Sequence, residues 1–413
     1  MSPVTEQRPE IQRVQSLPSM VTERFANILR AAMKDGASDI HLGVNKLPHL
    51  RLNGDILPIT SDTQLRKNAI FEILKLLYSN RDGMGDDSDS NDFEKLQEKI
   101  RKNGSDNFAC STKVLSTVTG VELPASRIRV CVVRDLEGLS MVIRVLPDQV
   151  RSLDQLGFIP EHGMVEKLKA AANHNGGGLF LVTGPTGSGK TTTLSSTIND
   201  INRSSHKHII TIEDPCEYVY PQFMPRLESI TSGDAGSNQW LSLIRQREVH
   251  RDTPSFYEGC KDALRMDPDI ILVGEIRDVE TMRAVAYAAE TGHLVFSTLH
   301  TKSVFKTLHR ILSLFPADEF SQVCTQLANT LVGILSQRLL KAADMQGRCL
   351  CYEWLPNNEQ VANSMREIAS SRRIDSLANF VTEDVIRWND CLKALFERGR
   401  ITKAVYDANF MKE

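Results

Sequence analysis

One stretch constrains this chain more than any other: residues 179–199, LFLVTGPTGSGKTTTLSSTIN. It reads as a short apolar strand, a glycine-rich turn and a helix that begins near Lys190. Gly184, Gly189, Lys190 and Thr191 fill the spacing G-x-x-x-x-G-K-[ST] of a phosphate-binding loop. The spacing has a physical reason. Gly184, Gly187 and Gly189 let the backbone curl until successive N–H groups face one anion, with Pro185, Thr186, Ser188 and Thr192 completing the loop. The following helix turns its positive end to the same point. Lys190 supplies a point charge for β- and γ-phosphates, and the Thr191 hydroxyl is placed to ligate Mg²⁺. The alternative is a strand–helix turn that binds nothing, and a strand before the loop with a helix after it tells against that.

A chain of 413 residues predicts two or three domains. Hydrophobic residues make up 41% and charged residues 24%, an ordinary globular balance. The net charge of −3 gives no global attraction to nucleic acid or anionic lipid, so no direct nucleic-acid binding is expected. Of the eight cysteines only Cys349 and Cys351 are close, and no second pair completes a zinc site. Reduced thiols in a cytoplasmic protein are the expectation. The first residues lack the apolar core of a signal peptide, and no apolar run approaches the ~18 residues of a membrane span.

In chain order, residues 1–20 read as a loose polar tail. Residues 21–34 have helical periodicity, and SDIHL, HLRLNGDI and ILPI read as short strands with Asn53-Gly54 as a hairpin turn. A second helix is expected over 68–78. Residues 81–107 open acidic and nearly devoid of apolar side chains, which predicts a mobile surface insertion. RIRVCVVRD and LSMVIRVLP alternate as strands and close a small α/β domain over 21–147. After a linker (148–159), strands and helices alternate through residue 340: LFLVTG, HIITIED, DIILVGE and HLVFSTLH are apolar strands separated by helices. That pattern predicts a parallel sheet covered on both faces, with ligands beyond the strands' carboxyl ends. Residues 341–413 read as a small helical domain without strands.

The other chemical candidates fall at those strand ends. DIILVGE delivers Glu275 where a nucleoside triphosphatase needs a carboxylate to orient Mg²⁺ and water. Gly274 stands where an aspartate is usual, so metal ligation through water is one reading. IEDPCE brings Glu213, Asp214 and Glu217 together, and such a cluster needs a cation to balance it. Glu213 reads as a water- or Mg²⁺-positioning acid, or else as part of a solvated loop of helix-capping acids. His293 and His300 bracket one strand. A histidine is more often structural than catalytic, yet two beside a phosphate site give His300 a claim to sensing the γ-phosphate. Arg245, Arg247, Arg265 and Arg277 lie near these segments, either solvating the surface or neutralising transition-state charge.

GPTGSGKTTT, IITIEDPCEYVY, ALRMDPDIILVGEIRDVET and AAETGHLVFSTLHT resemble the P-loop, aspartate box, atypical Walker B and histidine box of the secretion-ATPase superfamily. More narrowly, they resemble its PilT-like branch. The resemblance runs from about residue 148 into the C-terminal helices, where ILSQRLLK and WNDCLKALFERGRIT also fit. It implies a PAS-like N-terminal domain and a RecA-like ATPase domain with ATP between them. It also implies a homohexameric ring that couples ATP hydrolysis to domain motion, held to the inner membrane by platform or secretion-apparatus proteins. By the same resemblance Lys190 and Thr191 hold phosphate and Mg²⁺, Glu275 is the Walker B glutamate, Glu213 positions water, and His293 and His300 are the histidine-box pair. Arg144 is similar to a nucleotide-contacting arginine, and Arg127, Arg129 or Arg134 is the finger. Residues 221–242 and the acidic stretch after Tyr78 exceed the compact retraction motors. The missing four-cysteine zinc motif argues against the pilus-extension and type II secretion branch. A motor for a type IV pilus, or for type IV secretion or conjugation, is the expectation. A nucleotide-gated assembly protein and a DNA-translocating motor are its rivals.

Overall fold

The computed structural model describes residues 19–52, 55–81, 92–146, 150–172, 176–221, 241–344, 347–372 and 384–411. The chain divides into two compact units, residues 1–148 and 149–413.

The first unit contains α1 (Met20–Lys34), β1 (Asp39–Gly43), β2 (His49–Leu52), β3 (Asp55–Pro58), α2 (Lys67–Ser79), α3 (Asp92–Asn103), β4 (Ser105–Ser111), α4 (Thr112–Thr119), β5 (Arg127–Arg134) and β6 (Leu139–Leu146). Its antiparallel sheet runs β3-β2-β1-β6-β5-β4. Alternation along each strand sends Ile40, Leu42, Ile128, Val130, Val132, Met141 and Ile143 into a core with Phe25 and Leu29 of α1 and Ile70, Leu74 and Leu77 of α2. The opposite parity carries charge. Register places Arg51, Asp39, Arg144 and Arg129 in one cross-strand row, with Arg144 Nε 2.9 Å from Asp39 Oδ1. Arg127 shares that face, and Arg134 falls on the other parity.

One expectation for this unit is corrected. The segment 81–107 is not simply an exposed insertion: α3 buries Leu96 and Ile100, and β4 pairs with β5 along its length. Charge-rich helices hide their apolar stripe from a composition count, because the few apolar residues needed stand one turn apart. The tail (1–18), the Asn53-Gly54 turn and residues 82–91 lie outside the described residues.

The second unit begins with two short 3₁₀ turns, followed by α5 (Met164–Ala172), β7 (Gly178–Thr183), α6 (Lys190–Ser204), β8 (His208–Glu213), β9 (Leu243–Glu248), α7 (Phe256–Ala263), β10 (Ile270–Val273) and α8 (Val279–Glu290). Then come β11 (Leu294–Leu299), α9 (Val304–Leu312), α10 (Phe320–Thr330), β12 (Leu331–Lys341), β13 (Arg348–Pro356), α11 (Glu359–Ser371), α12 (Trp388–Glu397) and α13 (Lys403–Asn409). The sheet order is β13-β12-β7-β11-β10-β8-β9, parallel except for the β12–β13 pair. The expected parallel sheet with two covered faces is present. Leu179, Leu181, Ile271 and Val273 join α8, α9, α10 and α11 on one side. Phe180, Val182, Ile209 and Leu272 join α5, α6 and α12 on the other.

The strand-free reading after residue 340 is corrected as well. β13 hydrogen-bonds to β12 from Arg348 to Pro356 and extends the sheet at its edge. RCLCYEWLP is buried on both faces between its two ends, so no polar alternation marks it as a strand. Gly333 of β12 explains the close pairing: the Trp354 indole occupies the space a Cβ would need. Residues 222–240, most of the second insertion, lie outside the described residues.

Candidate active site

The P-loop hangs between the end of β7 and the start of α6. Gly184, Gly187 and Gly189 all have positive φ. At Gly184 the requirement is absolute in space as well as in torsion, since a Cβ there would run into the Gln337 carbonyl and the Ser188 side chain. Pro185, Thr186 and Gly187 form an exposed rim, while Ser188 and Lys190 are buried. Lys190 Nζ donates to the carbonyls of Gly184 at 2.9 Å and Pro185 at 3.2 Å. Burial pushes its ammonium below the ordinary lysine value, and the Glu275 carboxylate pulls the other way. A lysine held by two carbonyls in a half-dry loop gains by exchanging them for phosphate oxygens. Thr191 is exposed at the first turn of α6, and Thr192 hydrogen-bonds Tyr218.

Glu275 follows β10 at its carboxyl end. Its two oxygens are divided between Arg277, whose Nη2 donates to Oε1, and His300, whose Nε2 lies 3.4 Å from Oε2. Arg277 also reaches Asp214 at 3.5 Å, and its charge is reinforced by Glu275. Glu213 ends β8 and is almost fully buried, with Thr211 Oγ1 donating to it at 2.7 Å and Gln246 Nε2 at 3.4 Å. Lys190, Glu213, Glu275 and His300 therefore stand at or just beyond the carboxyl ends of four neighbouring strands. His293 does not join them. It precedes β11 at the sheet's amino end, roughly 20 Å away by the rise of a parallel strand, where its Nδ1 donates to the Ala288 carbonyl at 3.1 Å. Arg144 belongs to the first unit and is paired with Asp39.

Two residues of this site are not among the candidates singled out in the sequence, although Gln337 lies within ILSQRLLK. Gln337 of β12 is buried beneath the loop: its Nε2 donates to the Ser188 carbonyl at 2.8 Å, and its Oε1 accepts from Thr193 Oγ1 at 3.0 Å. Arg348 of β13 donates to the Gly187 carbonyl at 3.3 Å. The signal for Gln337 was a polar triplet, Ser336-Gln337-Arg338, inside an apolar run. A central strand tolerates that only where the side chains have partners.

A model of the type II/IV secretion system protein family matches residues 117–391. The chain belongs to that family. The type IV pilus retraction ATPase PilT of Pseudomonas aeruginosa is 35% identical over 380 residues, covering 92% of this chain and 96% of that protein. The type IV pilus ATPase PilU of the same organism is 30% identical, covering 92% and 86%. A crystal structure of the pilus retraction motor PilT with bound ADP superposes with a TM-score of 0.72 at 35% identity, over 94% of this chain and 97% of that one. The Legionella pneumophila ATPase DotB shares the fold, with a TM-score of 0.71 at 24% identity, over 95% of this chain and 97% of that one. As a member of this family the chain is a P-loop ATPase. No helix among the described residues is long and apolar enough to cross a membrane.

Proposed function

We propose that this chain is a hexameric, cytoplasmic ATP-driven motor at the inner-membrane base of a type IV pilus or of a type IV secretion or conjugation apparatus. The observation that carries the reading is the meeting of Lys190, Glu275 and His300 beyond the carboxyl ends of β7, β10 and β11. Triphosphate oxygens replace the carbonyls now held by Lys190, and loop N–H groups from Gly184 to Thr192 take up the remaining negative charge. The accessible oxygen donors, the Thr191 hydroxyl and the Glu275 carboxylate, are hard ligands of the kind Mg²⁺ prefers, so they fit that ion. When bound, the ion neutralises charge on the β- and γ-phosphates.

Glu275 orients the attacking water and accepts its proton, while Arg277 and His300 each hold one of its two oxygens. Glu213, buried and hydrogen-bonded, is the second water-positioning acid. Arg144 contacts nucleotide by its resemblance to the family's arginine. Arg127 and Arg129 share its face and are preferred to Arg134 as fingers. Hydrolysis then drives motion of the two units within each subunit, and apparatus proteins anchor the ring.

Light scattering with and without ATP and Mg²⁺, alongside steady-state phosphate release, tests the reading. A hexamer that turns over ATP is expected. A ring that binds ATP and never hydrolyses it would make the chain a nucleotide-gated assembly protein instead, and an inert monomer would contradict both.

A further inference from the structure

The carboxyl ends of the central strands are tied together by buried hydroxyls. Ser297 Oγ donates to the Val273 carbonyl and Thr298 Oγ1 to the Gly274 carbonyl, each at 2.7 Å. These bonds join the strand that leads to His300 to the strand that leads to Glu275. The Gly184 N–H donates to the Leu299 carbonyl at 3.3 Å, which joins the same strand to the phosphate loop.

A third tie is made by side chains alone. Thr183 is the last residue of β7, Thr301 follows His300, and Thr307 lies in the first turns of α9. Thr307 Oγ1 is 2.6 Å from Thr301 Oγ1, 3.3 Å from Thr183 Oγ1 and 2.8 Å from the Ser303 carbonyl. Thr183 and Thr307 are fully buried and Thr301 nearly so. A hydroxyl has one proton and two lone pairs. Thr307 shares its proton between the Ser303 carbonyl and Thr183, so its short contact with Thr301 is one in which Thr301 donates. Among the described residues, Thr307 is the side-chain partner that Thr183 and Thr301 share.

The start of α9 is itself held still. Ser303 Oγ accepts from the Lys306 N–H at 3.3 Å, and Glu353 Oε2 accepts from the Val304 N–H at 2.9 Å. Thr307 is thus a fixed post from which one bond reaches the base of the phosphate loop and another reaches the residue after His300.

We propose that Thr307 is a positioning residue for hydrolysis: it sets the distance between the phosphate loop and His300, and through His300 the orientation of Glu275. The inference rests on the ATPase reading of the same site. A threonine that merely completes the core would affect stability alike in every background, whereas a positioning residue acts only through the group it positions.

Full-length wild-type protein, Thr307→Val, Thr307→Ser, His300→Ala and the Thr307→Val/His300→Ala double variant separate the two roles. Steady-state kcat and KM are read beside equilibrium affinity for a fluorescent ATP analogue. Thr307→Val is expected to lower kcat by up to about tenfold, no more than loss of His300 itself, and to leave nucleotide affinity within about twofold, because small misplacements act on turnover. Thr307→Ser, which keeps the hydroxyl, should recover most of that loss. In the His300→Ala background Thr307→Val should cost no more than about twofold further, since residues acting through one another are not additive. If Thr307→Val does not fold, Thr301→Val removes the donor from the same pair and carries the same comparison. Multiplicative losses in the double variant, an unchanged kcat in Thr307→Val, or a Thr307→Ser as slow as the valine variant would overturn the inference alone. A wild-type chain with no turnover would instead overturn the ATPase reading, and this inference with it.

Discussion

His293 and His300 flank one strand, β11, and the same side chain meets two unlike environments there. At the amino end His293 is half-buried against the last turn of α8, its Nδ1–H donating to the Ala288 carbonyl with the Thr291 hydroxyl 3.2 Å from the same nitrogen. At the carboxyl end His300 is exposed beside a carboxylate that also holds Arg277, within the array that includes Lys190. The difference comes from sheet polarity. In a parallel sheet every strand delivers its carboxyl end to the same edge, where the following helices begin. That edge collects helix N-termini, loop N–H groups and catalytic side chains; the other collects helix C-termini, whose carbonyls need donors. A histidine at the first edge faces anions, and one at the second caps a helix.

The strongest way to break the comparison is at the phosphate loop. Lys190→Ala should weaken ATP binding by about 100-fold, since charged hydrogen bonds contribute about 1.5–3 kcal/mol and more than one is lost. Titration with a fluorescent nucleotide checks it, and unchanged affinity would detach the loop from the site. Next in size is Gln337→Leu, which strands the Ser188 carbonyl and the Thr193 hydroxyl in the interior. A stability loss of about 2 kcal/mol is expected, because unsatisfied buried groups cost about 1–3 kcal/mol each. Chemical denaturation measures it, and nucleotide affinity should fall with it. The histidines themselves sharpen the contrast. His300→Ala should reduce kcat about tenfold, a modest share of what a positioned acid–base group can contribute. His293→Ala should leave kcat within about twofold and cost about 1 kcal/mol of stability through its lost hydrogen bond. Equal kinetic losses at both ends would show that polarity does not separate them.

The smallest effect concerns Glu353, whose carboxyl is raised above its ordinary value, chiefly by burial. A raised acid binds its proton more tightly folded than unfolded. Its contribution is therefore fully present below pH 4.5 and is lost as pH climbs through the folded value. Glu353→Gln should flatten that part of the stability–pH curve, measured by denaturation at several pH values. A curve of unchanged shape would remove Glu353 from the linkage.

The same polarity explains what was legible in the sequence. The P-loop could be read because its chemistry is written in consecutive residues, and Glu275 because an apolar strand ends on it. The histidine pair flanks its strand evenly in the sequence, and only the parallel-sheet reading, with ligands beyond the carboxyl ends, sets His300 apart from His293. β12 and β13 were missed for the opposite reason. Polar Ser336, Gln337 and Arg338 interrupt an apolar run because β12 lies against the phosphate loop and serves it, and β13 is buried on both faces, its Glu353 included. The helix at 92–103 was hidden by charge, since its buried stripe is only a few residues long. Gln337 meets Ser188, and Thr307 meets Thr183, across more than a hundred residues. Those contacts exist only once the sheet is assembled.

The account stands most directly on Glu275→Gln, compared with wild type for ATP turnover and for equilibrium ATP binding in the same preparation. The substitution keeps the shape of the side chain and removes its charge and its basicity. Turnover should fall by about 100-fold or more, in the range of general-base losses, while ATP affinity stays within a few-fold. A variant that hydrolyses ATP at the wild-type rate would take Glu275, and with it the carboxyl-edge site, out of the chemistry.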